Sequence, residues 1–253
     1  MLEKITGSTE GSKCCRPDPK AKVLEVECKD CGLDPMCALL DYAEEDSGVP
    51  EGVLLRRRPV SRGETIFHKG DPFRSIFAVK SGSFKTYVPK LDRVDQVVGF
   101  HLYGELIGAE GLAANSYPFT ARALEDSSIC ELRMELLPET GRTLEALQEG
   151  IIALLGWEVA FNHQLIASLV HQSADQRIAG FLLSLSDRLQ RRGMPKTEFR
   201  MSMSRSDMGN YLGLASETVS RALTRFQNSG LIRLRHKYLV LLDPARLAEI
   251  ADS

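Results

Sequence analysis

The chain has 253 residues, 26% of them charged and 43% hydrophobic, with a formal net charge of −2. These values exclude a wholly disordered chain, which needs low hydrophobicity and high net charge, and the length suggests about two domains. The longest unbroken apolar stretch, Ile151–Leu155, is far short of the ~20 residues of a membrane span. No membrane association is expected, and because Met1–Glu10 lacks an apolar signal core, a cytoplasmic location is expected.

The small net charge hides an asymmetry. Residues 1–50 carry 6 Lys+Arg against 11 Asp+Glu, a net of −5, whereas residues 196–238 carry 8 against 3, a net of +5. A local basic region can bind phosphate even in an acidic chain. The acidic N-terminal segment reads as a turn-rich arm over 1–50. It holds Cys14, Cys15, Cys28, Cys31 and Cys37, and Cys130 lies far beyond it. Cytoplasmic disulfides do not persist, so clustered thiols point to metal or redox chemistry. Cys28-x2-Cys31-x5-Cys37 can converge on one centre. A fourth ligand could come from Cys130, Cys14 or Cys15, and the spacing alone does not separate zinc from an iron–sulfur cluster.

Residues 51–140 read as many short strands. Thr65–Phe67, Ser75–Lys80, Phe84–Val88, Val97–Leu102, Phe119–Leu124 and Ser128–Leu132 are punctuated by glycine-bearing turns, as in a jelly roll. Over 141–172 the period becomes helical. Ile152, Leu155, Val159, Asn162 and Ile166 recur at the 3–4 spacing of a heptad seam, and Leu147, Ile151, Leu154, Phe161 and Leu165 form a second stripe. One face can pack on its own domain while the other meets a second copy across a two-fold axis, a homodimer. Another amphipathic helix is expected over 174–192, then a connector over Arg191–Phe199.

The basic segment has the layout helix, short glycine-containing turn, helix. Ser204 and Asp207 make a capping box, Gly213-Leu214-Ala215 is the turn, and Ser216 is expected to cap the next helix. That helix sets Val219, Ala222, Leu223 and Phe226 on one side, and Glu217, Ser220, Arg221 and Thr224 on the other. Arginine can pair bidentately with guanine and glutamate can accept from cytosine, and the N-terminal residues of a recognition helix are those that reach base edges. Arg205, Arg225 and Lys237 are expected at phosphates. Leu231–Leu234 and Tyr238–Leu242 read as a hairpin wing within 173–253. The expected class is α+β: cysteine-rich arm, β jelly roll, long dimerisation helix, winged helix-turn-helix.

The combination resembles the oxygen-sensing FNR (fumarate and nitrate reduction) regulators of the cyclic-AMP receptor protein superfamily. The resemblance is carried by Cys28-x2-Cys31-x5-Cys37 and Cys130, by Ser81-Gly82-Ser83-Phe84-Lys85-Thr86-Tyr87 and Gly99-Phe100-His101-Leu102, by Gly209-Asn210-Tyr211-Leu212-Gly213-Leu214, and by Glu217-Thr218-Val219-Ser220-Arg221. It implies that the β jelly roll is cyclic-nucleotide-binding-like, and one [4Fe–4S] cluster per subunit on Cys28, Cys31, Cys37 and Cys130. It implies a homodimer in which Glu217, Ser220 and Arg221 are the base readers of TTGAT-N4-ATCAA-like inverted repeats of double-stranded DNA, oxygen-dependent control of anaerobic genes, and contact of Ser81–Lys90 with RNA polymerase. A superfamily regulator answering to haem, structural zinc or a small molecule is the alternative. Gly104-Glu105-Leu106 matches the nucleotide-pocket motif, but Tyr117-Pro118 replaces the Arg-Ser that should meet a cyclic phosphate. His101 or His163 could be offered to haem. No phosphate loop, nucleophile elbow or histidine metal pair suggests an enzyme.

Overall fold

The computed structural model describes residues 25–27, 30–31, 52–91, 94–136, 152, 155–156, 159–160, 162–163 and 165–253. Two four-stranded antiparallel sheets form the first unit. One has the order β1(Leu54–Val60), β8(Ser127–Arg133), β3(Ser75–Ser81), β6(Leu106–Ile107); the other runs β2(Thr65–Phe67), β7(Thr120–Ala123), β4(Phe84–Val88), β5(Gln96–His101). Non-sequential neighbours in both sheets mark the expected roll. β3 is buried along its whole length, so its run Ile76-Phe77-Ala78-Val79 is continuous rather than alternating. β1 escapes the sequence reading because Arg56-Arg57-Arg58 interrupts it. The strand accommodates them with a register shift against β8 between Leu55 and Arg58, where Arg57 takes φ +55°.

The described residues from 152 to 171 are helical. Ser173 then caps α1(Ala174–Gln190) with a full capping box to Gln176. Its apolar stripe, Ile178, Phe181, Leu182, Leu185 and Leu189, is buried. α2(Arg205–Leu212) starts at Ser204, whose hydroxyl accepts from the Asp207 amide at 2.9 Å, and ends at Gly213 with φ +67°. α3(Ser216–Asn228) follows. Its N-cap is Ala215, with no side-chain cap, and Ser216 is the first helical residue; this corrects the expected Ser216 cap. β10(Ile232–Arg235) and β11(Tyr238–Leu241) form the wing, and α4(Pro244–Asp252) packs on α1. The expected connector contains one further strand, β9(Glu198–Arg200), which pairs with β11 and makes the wing three-stranded. Three residues after Gly193 and Pro195 give too little periodicity to read, and the pairing supplies what propensity does not.

The two units share a core. Phe100 of β5, Phe181 of α1 and Tyr211 of α2 meet pairwise with ring centroids 5.1–5.9 Å apart. Burial pushes the Tyr211 hydroxyl up to about 12. No helix among the described residues is long and apolar enough to cross a membrane.

Candidate functional site

The helix-turn-helix depends on one close approach. A Cβ on Gly209 would stand 2.5 Å from the Leu214 carbonyl oxygen and 3.3 Å from the Ser216 amide, so only glycine lets α2 pass under the turn. Beyond the turn, Val219, Ala222, Leu223 and Phe226 of α3 are buried. Glu217, Ser220 and Arg221 are exposed, and with Thr224 and Arg225 they line a shallow concave surface. Arg221 donates to the Glu217 carboxylate at 2.6 Å, one turn apart on an exposed face. Ser220 donates to the Ser216 carbonyl at 2.9 Å, and Thr224 to the Ser220 carbonyl at 3.0 Å. The structure thus brings the three expected base readers onto one open face.

The expected phosphate residues divide. Lys237 sits half-buried in the wing turn beside His236, whose φ is +55°. Arg205 opens α2 and is half-buried, and that burial lowers its pKa. Arg225 is held by Asp175 in the first turn of α1, so it joins α3 to α1 as well as facing solvent.

Of the four cysteines expected as ligands, Cys31 and Cys130 are described, and both are buried, with 8% and 9% of their surface exposed. Cys28 and Cys37, like Cys14 and Cys15, lie outside the described residues. The arm reaches the roll through a bridge between Glu25 and Ser81, a hydrogen bond from the Val26 amide to the Lys80 carbonyl at 3.1 Å, and an ammonium bond from Lys80 to the Val26 carbonyl. These contacts end on β3, whose Ala78 is the register partner of Cys130. Cys31 on the arm and Cys130 on β8 are thus both held in the buried core, a setting compatible with thiolate ligation. Asp30, between Cys28 and Cys31, lies against the turn after α1. Its carbonyl accepts from Arg192 at 3.4 Å, and a Cβ on Gly193 would stand 2.9 Å from its carboxylate.

On the expected seam, Ile152 (68% exposed), Val159 (53%) and Ile166 (58%) are bare in the single chain, and Asn162 is exposed among them. Val170 continues the stripe, while Leu155 and Leu165 are half-buried and pack against the core. Leu147, Ile151, Leu154 and Phe161 lie outside the described residues. Apolar side chains left this exposed are compatible with a contact surface.

Both nucleotide-pocket positions are spent on internal contacts. The Tyr117 hydroxyl donates to the Ser75 carbonyl at 2.8 Å and accepts from its amide at 3.1 Å, and its ring stacks on Phe67. Glu105 receives Arg188 of α1 at 2.7 Å and the Leu102 amide at 2.8 Å. Both nitrogens of His101 are also engaged, with the Thr86 hydroxyl at 3.1 Å and the Leu106 carbonyl at 2.9 Å, and burial lowers its pKa. Sequence reasoning missed Arg188 and Arg177 as joints between units, because a charged residue on an amphipathic helix reads as a solvated face.

Comparison with known proteins agrees with this architecture. Residues 57–140 match the cyclic nucleotide-binding domain, and residues 176–250 match the Crp-like helix-turn-helix domain. The transcriptional activator protein Anr of Pseudomonas aeruginosa is 42% identical over 227 residues, covering 90% of this chain and 93% of the relative. The fumarate and nitrate reduction regulatory protein of Escherichia coli is 34% identical over 226 residues, covering 89% and 90%. The structure of FixK2 from Bradyrhizobium japonicum superposes with a TM-score of 0.67 at 26% identity, covering 78% of this chain and 98% of that one. The chain belongs to the FNR (fumarate and nitrate reduction) family of the cyclic-AMP receptor protein superfamily, whose members are transcription regulators rather than enzymes.

Proposed function

We propose that this protein is a cytoplasmic, oxygen-responsive regulator of anaerobic genes that binds operator DNA as a homodimer when its thiolate centre is intact. The observation that carries the reading is the burial of both Cys31 and Cys130, 99 positions apart, while the arm is tied to β3. Cys28, Cys31, Cys37 and Cys130 would hold one [4Fe–4S] cluster per subunit; when bound, it supplies an oxygen-labile tie between arm and roll. Ligation adds binding energy to the folded arrangement alone, and biases whatever equilibrium that arrangement favours.

The remaining steps belong to side chains. Ile152, Val159 and Ile166, flanked by Leu155, pair with their copies across a two-fold axis, and Asn162 fixes the register. Glu217, Ser220 and Arg221 read base edges in each half of a TTGAT-N4-ATCAA-like repeat, with Arg205, Arg225 and Lys237 at phosphates. Two half-sites read together multiply affinity, so loss of the dimer switches binding off. The units 1–50, 51–140, 141–172 and 173–253 are arm, sensor roll, dimerisation helix and DNA-binding domain. Contact with RNA polymerase near Ser81–Lys90 follows by family resemblance.

The test uses protein purified without oxygen. About four irons and four sulfides per chain, with visible absorbance and operator binding both lost in air, are expected from four thiolate ligands. A colourless protein whose operator binding is indifferent to air would overturn the reading.

A further inference from the structure

Arg177 occupies an electrostatically poor position on its own helix. It lies in the first turn and a half of α1, whose N-terminal end carries partial positive charge. Its guanidinium is spent elsewhere. Nε donates to the Gln172 carbonyl at 2.9 Å, Nη2 to the Leu169 carbonyl at 2.9 Å, and Nη1 to the Leu212 carbonyl at 3.2 Å. Leu169 belongs to the helical residues that also carry the exposed seam, and Leu212 is the last residue of α2. Carbonyls near a helix C-terminus lack intrahelical partners and carry partial negative charge, so one cation serves two helix ends.

The joint is also packed. An added Cβ on Gly213, the residue that ends α2, would lie 3.6 Å from Nη1 of Arg177 and 3.8 Å from Cδ2 of Leu169. The base-reading helix α3 begins after only Gly213-Leu214-Ala215. A planar guanidinium with its donors in a rigid fork cannot follow one carbonyl without dragging the others. We propose that Arg177 is the positioning residue that fixes each recognition helix relative to the dimer seam, and thereby sets the half-site spacing that the protein reads. The inference rests on the reading of paired half-sites by a two-fold dimer. Half-site separation in such dimers is a geometric quantity, and one added base pair moves a half-site by ~3.4 Å and about 34°.

The test is the affinity of the full-length protein, handled without oxygen, for TTGAT/ATCAA duplexes with the four-base spacer or one base more or less. Wild type, Arg177→Lys and Arg177→Gln are compared, with thermal melting as a folding check. For wild type, a one-base change should weaken binding about tenfold or more, and in the variants that penalty should shrink about threefold or more. Base substitutions inside a half-site should cost the same in all three proteins. A variant that merely folds poorly would bind every duplex less and leave the spacing ratio unchanged. Folded variants with the wild-type spacing ratio would overturn the role of Arg177. A wild type indifferent to spacing would instead overturn the paired half-site reading, and this inference with it.

Discussion

Arg188 of α1 grips the Glu105 carboxylate with two nitrogens, at 2.7 and 2.5 Å, across the junction between the roll and the DNA-binding domain, and both side chains are at least four-fifths buried. The same guanidinium donates to the Phe100 carbonyl. Removing one partner of a buried pair strands the other charge, so Glu105→Gln should lower stability by on the order of 3 kcal/mol. Burial alone would raise the Glu105 pKa, but the charge and hydrogen bonds of Arg188 outweigh it and hold the carboxyl below its ordinary 4.5. A depressed folded value contributes stability in full above pH 4.5, and loses it as pH falls through that value. Thermal melting of the cluster-free protein should therefore show the largest gap between wild type and Glu105→Gln near neutrality, closing as pH falls through the depressed Glu105 value.

Gly209→Ala forces a Cβ to within 2.5 Å of the Leu214 carbonyl, and the obstacle is backbone. The turn must open, at a cost of about 1–3 kcal/mol. Operator binding should fall about tenfold or more while the β-roll retains its far-ultraviolet spectrum. Unchanged binding would show that the turn adapts.

Arg221 and Lys237 should fail in different ways. Arg221→Ala should cost about 1–3 kcal/mol and relax base preference at one operator position. Lys237→Ala should weaken all sequences alike and reduce the salt slope by about one. A titration series at several salt concentrations, on cognate and substituted operators, distinguishes them.

Asn162 lies among Ile152, Val159 and Ile166 on a bare face. A seam asparagine costs stability but is neutral, whereas a carboxylate would meet its own copy across the axis. Asn162→Asp should shift the cluster-free protein toward monomer at neutral pH, and acidification below about pH 4 should reverse the shift. Sedimentation at micromolar concentration reads both.

Gly193→Ala places a methyl against the Asp30 carboxylate at a residue with φ +71°, so it should loosen the arm from the turn after α1. Alkylation of Cys31 in the cluster-free protein should quicken about threefold or more, since reactivity follows exposure.

Most of the roll and the whole helix-turn-helix were legible in the sequence, because caps, turn glycines and apolar periods are local signals. Ser204, Gly213 and the buried face of α3 act within a few residues of themselves. β1 and β9 were not legible, since their strand character comes from partners β8 and β11 distant in sequence. The open face that carries Glu217, Ser220 and Arg221 was legible from their spacing. The joints between units were missed. Arg177, Arg188 and Glu125 look like surface charges in one dimension, yet Glu125 accepts from Ser83 of the roll and pairs with Arg200 of β9. Such pairings depend on where two folded units meet, which no local window contains.

Arg177 and Arg188 stand eleven positions apart on α1, at opposite ends of one rigid rod, with ~16 Å of helix between them. One end is fastened to the seam-bearing helix and the other to the roll. The rod therefore has a set length as well as a set face. Inserting a single residue between the two arginines would turn one fastening by about 100° relative to the other and release at least one of them. Substitutions on the outer face of α1 should be absorbed, while a one-residue change in its length should uncouple DNA reading from the rest of the molecule without touching a base, a thiol or the seam.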